Sequence, residues 1–168
     1  VCNNSGVVGI NLVTGNQTST NVKYNDFRGL DVTNNGSGSV SCISLSGIPA
    51  ANNVTSIIGN TFTNISVSTF TLNLIEAGGQ GMSINSVRNI DSNKAVGTLT
   101  FTGAIFGMIN TGFGFTSSLR NTISHNELSN ATLVLTEEIY GAAFILDGSI
   151  SKERRIEFNS LSNVVQTG

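Results

Sequence analysis

Ile57-Ile58-Gly59-Asn60-Thr61-Phe62-Thr63-Asn64-Ile65 carries the pattern apolar-x-x-Asn-x-apolar-x-(Asn or Gly)-apolar, and this pattern recurs along the chain. Upstream it reads Val22, Asn25, Phe27, Gly29, Leu30. Downstream it reads Met82, Asn85, Val87, Asn89, Ile90, then Ile123, Asn126, Leu128, Asn130, Ala131, and last Ile156, Asn159, Leu161, Asn163, Val164. A looser signature precedes each copy, a short apolar run closing on glycine: Ile10 to Gly15, Ile43 to Gly47, Leu72 to Gly78, Phe106 to Gly112 and Phe144 to Gly148. One unit of about 33 residues is therefore expected five times, which is the mark of a stacked repeat architecture.

The residue types say what kind of stack. The apolar runs are short, alternating and rich in β-branched and aromatic side chains, as at Thr69-Phe70-Thr71-Leu72-Asn73-Leu74, so they read as strands and the chain as all-β. Asn tolerates the left-handed backbone region and suits corners between strands. Stacked in successive coils, Asn25, Asn60, Asn85, Asn126 and Asn159 are expected to bond amide to amide along the axis. A single coil cannot bury its own apolar face, and only its neighbours complete the core.

On these repeats the chain resembles the right-handed parallel β-helix proteins: secreted bacterial surface proteins, pectate-lyase-like polysaccharide lyases and hydrolases, and phage tailspikes. The resemblance runs from Ile10 to Val164 and implies a single right-handed parallel β-helix of about five coils over residues 1–168, whole or as part of a longer solenoid. It does not choose an activity, because that fold carries enzymes, adhesins and inert stalks alike. The spacings between the ladder asparagines, 35, 25, 41 and 33, are uneven, so extra residues are expected to loop out at 31–39, 91–97 and 147–154. Another β-solenoid or a stacked β-prism stays open on this reading.

Composition narrows the function. Charged residues make up 11% of the chain, against about 25% in an ordinary soluble domain, and the net charge is −2. There is no basic footprint for nucleic acid and no apolar run of membrane-spanning length. Polarity comes instead from amides and hydroxyls, including 22 Asn and 21 Ser, a surface suited to water or sugars. Cys2 and Cys42 lack metal-ligand spacing; a bridge between neighbouring coils and two buried thiols fit equally well. Six Asn-x-Ser/Thr sequons match what this composition gives by chance.

Catalytic chemistry is harder to assemble. Asp26 and Glu127 share the column after the first Asn, but coils carrying Thr61 and Ser86 stand between them. Glu137 and Glu138 are adjacent and would point to opposite faces of a strand. Lys152-Glu153-Arg154-Arg155 reads as a solvated corner loop, and Ala77 to Gly81 lacks the Lys and helix of a phosphate loop. The patch left is His125, Glu127 and Glu157, with His125 one place before its Asn, Phe158 in the matching slot, and a His125–Glu157 contact expected across coils. A histidine beside a carboxylate is more often a surface pair than a catalytic one.

Two functions compete. The first is a non-enzymatic extracellular structural protein, a segment of a surface fibre, filament or adhesin stalk that stacks head to tail through its coil ends, with no cofactor or metal. The second is a carbohydrate-binding or polysaccharide-degrading β-helix, with glycans as partners. Against the second stand the absence of Trp and the scarcity of Tyr for sugar platforms.

Overall fold

A computed structural model describes residues 7–33, 38–80, 83–112, 118–136, 142–148 and 151–167. Its strands fall into five rungs. The first holds β1 (Val7–Thr14), β2 (Ser19–Lys23), β3 (Asp26–Arg28) and β4 (Asp31–Thr33). The second holds β5 (Ser39–Gly47), β6 (Val54–Ile58) and β7 (Thr61–Ser68); the third, β8 (Thr71–Gln80), β9 (Val87–Asp91) and β10 (Lys94–Gly103). The fourth holds β11 (Ile105–Gly112), β12 (Ser118–Ser124) and β13 (Glu127–Leu135), and the fifth β14 (Ala142–Asp147), β15 (Ser151–Glu157) and β16 (Ser160–Thr167).

Every strand pairs in parallel with the strand one rung away. The first sheet is ordered β1-β5-β8-β11-β14, the second β2-β6-β9-β12-β15 and the third β3-β7-β10-β13-β16, with β4 also on β7. The chain is thus a parallel β-solenoid, and four full turns separate the first rung from the fifth.

Stacking places like on like, which is how short strands with little charge make a core. One column is isoleucine throughout: Ile10, Ile43, Ile75, Ile109 and Ile145. A second runs Val22, Ile57, Ile90, Ile123, Ile156, and a third Phe27, Phe62, Ala95, Leu128, Leu161. The Phe27 and Phe62 rings stack at 5.2 Å. In the first sheet both members of Cys42–Ile43, Leu74–Ile75 and Met108–Ile109 are buried. Two consecutive buried residues in each of these strands break the strict in-out alternation of a flat strand.

The repeat is more regular than its asparagines suggest at first reading. The amide ladder runs Asn25, Asn60, Asn93, Asn126, Asn159, at spacings of 35, 33, 33 and 33. Asn85, expected in this column, instead sits exposed in a turn with φ of 59°, between Ser83 and Ser86. The register slips because β10 carries one extra residue: Val96 pairs with Thr63 but Leu99 pairs with Ile65, a β-bulge around Gly97 and Thr98. Two of the expected loops are therefore largely strand. In 91–97, Asp91 ends β9 and Lys94 to Gly97 open β10, with only the Ser92-Asn93 corner between them. In 147–154, Ser151 to Arg154 belong to β15, where Lys152 and Arg154 are exposed on the last rung, while residues 149–150 lie outside the described residues. At 31–39, β4 and the start of β5 flank residues 34–37, which lie outside the described residues.

The corners also work differently from expectation. The ladder asparagine is not itself left-handed; the residue before it is. Tyr24, Gly59, Ser92, His125 and Phe158 all have φ between 52° and 66°. A second left-handed column, Gly29, Asn64, Gly97, Asn130 and Asn163, is the Asn-or-Gly position of the repeat.

Candidate functional site

The corner between the second and third sheets brings together the chemistry-bearing residues of rungs three to five. Its floor is the ladder. Asn93 donates through its backbone N–H and Nδ2 to Asn126 Oδ1 at 3.0 and 2.9 Å, and its second Nδ2 proton goes back to Ile57 O at 2.9 Å. Asn60 and Asn126 repeat the arrangement toward Asn93 and Asn159. Each interior amide thus ties three rungs, and Asn60, Asn93 and Asn126 are fully buried.

Above that floor, Asp91 is the hub. Its Oδ1 accepts from Ser124 Oγ at 2.8 Å and lies 2.9 Å from His125 Nδ1, while Oδ2 accepts from Ser92 Oγ at 3.0 Å. Partial burial pushes the Asp91 carboxyl up. The hydrogen bonds from His125, Ser124 and Ser92, with the histidine's charge, outweigh it, and the group ends below its ordinary value. The His125 ring stacks on Phe158 at 5.2 Å and 13°.

The expected trio is not one site. His125 touches Glu157 through the backbone, its N–H donating to Glu157 O at 3.3 Å, while its side chain turns one rung the other way to Asp91. Glu127 pairs with Lys94 at 3.6 Å, and the His125 ring pairs with Asp91. In the column after the ladder, Lys94 stands where Ser86 was expected, so the order is Asp26, Thr61, Lys94, Glu127, Ser160. Thr61 Oγ1 donates to Asp26 at 3.0 Å. Asp91, missed in the sequence, falls in a column with Lys23, Ile58, Ser124 and Glu157. Finding it required the third-rung register that Asn93 sets.

This arrangement has limited reactivity. With Nδ1 held by Asp91 and the side chain 58% exposed, the imidazole could move a proton only through its other nitrogen. Both neighbouring hydroxyls, Ser92 and Ser124, donate to the carboxylate and not to the ring, so neither is a base-activated nucleophile. Among the described residues no group of three or more His, Cys, Asp or Glu gathers to hold a metal. No helix of the described residues is long and apolar enough to cross a membrane. Cys42 is buried, and burial pushes its thiol up to about 12. Cys2, Glu137, Glu138 and Tyr140 lie outside the described residues.

Inside the coil the second sheet holds a polar column that sequence reading passed over: Thr20, Thr55, Arg88, Asn121 and Arg154. Arg88 is 1% exposed, and burial lowers its guanidinium to about 10 while the carboxylate of Asp147 opposes the shift. Asp147 Oδ1 accepts from Thr111 Oγ1 at 2.6 Å and Asn121 Nδ2 at 3.0 Å. The signal was parity: Arg88 lies two places before inward-facing Ile90.

The chain matches no known protein-family profile, no curated protein and no solved structure.

Proposed function

We propose that this chain is a non-enzymatic structural β-solenoid, an element of a secreted or cell-surface fibre, filament or adhesin stalk that lengthens by rung-on-rung stacking. One observation carries the reading: the amide ladder is polar and open at both ends. Among the described residues, Asn25 Oδ1 accepts nothing, and the Asn159 backbone N–H, which in the interior rungs donates to the next ladder amide, has no acceptor. Acceptors at one end and donors at the other favour another rung at each face over closure of the stack. The exposed Ile156 and Leu161 on the last rung, which end columns buried at Ile123 and Leu128, agree, since uncovered parallel edges invite pairing. We assign the coils the right-handed sense of surface-protein and lyase β-helices, which parallel crossovers overwhelmingly adopt. Sedimentation velocity over a hundredfold concentration range tests this reading. Growing rod-like species are expected, and a monomer at every concentration contradicts it.

A polysaccharide-binding or polysaccharide-cleaving function is the second reading. It is favoured by Asp91 and Glu157 standing in one column two rungs apart, with Ser124 between them. At about 4.8 Å per rung that separation is roughly 9.6 Å, near the upper limit for an inverting carboxylate pair. Reducing-end release from acidic and neutral polysaccharides, lost in Asp91→Asn, would favour it.

A further inference from the structure

We propose that the occupant of the fifth-rung face is the first rung of a second copy of this chain, seated column on column. The inference rests on the stacking reading above and names its partner and register.

The interior rungs state the rule for one rung meeting the next. The residue before each ladder Asn donates its N–H to the carbonyl one place earlier in the following rung: Tyr24 to Ile58, Gly59 to Asp91, Ser92 to Ser124, His125 to Glu157. The ladder Asn donates N–H and Nδ2 to the following Asn Oδ1, and the following Nδ2 returns a bond to the carbonyl three places before the first Asn. Applied to the fifth rung, the rule leaves the Phe158 N–H, the Asn159 N–H and the Ile156 carbonyl without their interior-type partners among the described residues, and Asn159 Nδ2 bonded only to Ile123 O and Glu157 O and not to a further ladder amide. The first rung offers Lys23 O, Asn25 Oδ1 and Asn25 Nδ2 in the required places.

The side chains fit the same register. Glu157 ends the column that Lys23 begins, so stacking sets an anion on a cation where both are exposed. Phe158 ends the column that Tyr24 begins. One face of Phe158 is covered by His125, yet the residue is 73% exposed. Tyr24 leans the other way over Gly59, where a Cβ would come within 2.6 Å of its ring, and is 78% exposed. Each aromatic therefore keeps its outer face open toward the junction, and the two meet there as a stacked pair. Beneath them Ile156 lands on Val22, Leu161 on Phe27, and Ile145 on Ile10, continuing the apolar columns. The contact is heterologous, so it propagates without closing.

Charge reversal tests partner and register together. Lys23→Glu alone sets two carboxylates against each other at every junction, and Glu157→Lys alone sets two ammonium groups there. Each is expected to raise the concentration needed for assembly about tenfold or more at low salt. Mixed one to one, every junction between the two variants regains an opposite pair, and assembly is expected to return. Circular dichroism checks that both variants fold, and Glu157→Gln, which removes charge without reversing it, is expected to weaken assembly less than Glu157→Lys. Wild-type rods whose assembly ignores these changes would overturn the pairing while leaving stacking intact. A wild-type monomer at all concentrations would overturn both.

Discussion

Asn126 Oδ1 receives both the backbone N–H and the side-chain amide of Asn93, at 3.0 and 2.9 Å, in a fully buried corner. The amide of one rung thus fixes the corner of the next, and from the second rung on each Nδ2 also reaches back one rung.

Asn93→Ala deprives the Asn60 N–H and Nδ2 of their acceptor and Ile57 O and Asn126 Oδ1 of a donor. At roughly 1–3 kcal/mol per stranded buried group, urea unfolding is expected to show a loss of at least about 3 kcal/mol. Asn85→Ala, exposed in its turn, is expected to cost about 1 kcal/mol for its left-handed backbone. Equal costs at the two sites would contradict the ladder.

Arg88→Met leaves the Asp147 carboxylate without its nearby buried cation and is expected to destabilise by about 3 kcal/mol. Adding Asp147→Asn removes the stranded charge, and the double variant is expected to recover much of the loss. A double variant no better than the single would mean that Arg88 acts through packing alone.

The Asp91 carboxyl titrates below its ordinary value, so it is held more tightly as the anion in the folded chain than in the unfolded one. Its stabilising contribution is complete above the unfolded carboxylate pKa of about 3.9 and fades as pH falls below that toward the folded value. Urea midpoints between pH 6 and pH 2 are expected to fall more steeply for wild type than for Asp91→Asn. Parallel curves would show that the hydrogen bonds from His125, Ser124 and Ser92 do not favour the anion.

Cys42, buried with its thiol pushed up to about 12, is expected to resist iodoacetamide at pH 8 in the native state and to react once unfolded in denaturant with reductant. Peptide mapping separates it from Cys2. Rapid native labelling at Cys42 would mean that the first-rung face opens readily.

How far these features can be read in advance follows from the residues. The solenoid is legible because Ile57, Phe62 and Ile65 recur as Ile123, Leu128 and Ala131, and inward columns accept any apolar residue that fills them. The third rung departs from expectation for a physical reason. Ala95 is small, and the extra Thr98 displaces Leu99 by one place, so Asn93 breaks the spacing that Asn85 happens to satisfy. The departure spreads to the site: with Asn85 in the ladder, Asp91 falls in a loop and Glu157 looks like the partner of His125. With Asn93 in place, the same counting puts Asp91 beside Ser124 and Arg88 among Thr55 and Asn121. The His125 ring lies between Asp91 of the third rung, which holds its Nδ1, and Phe158 of the fifth, which stacks on its face, a placement that no spacing reveals.

The most direct test of the central claim is the axial repeat of the assembled material by cryo electron microscopy. Five rungs at about 4.8 Å predict one copy every 24 Å or so along a thin unbranched rod, with the 4.8 Å layer spacing unbroken across the junction. Discrete particles, or a fibre whose rungs do not continue from Asn159 to Asn25, would contradict it.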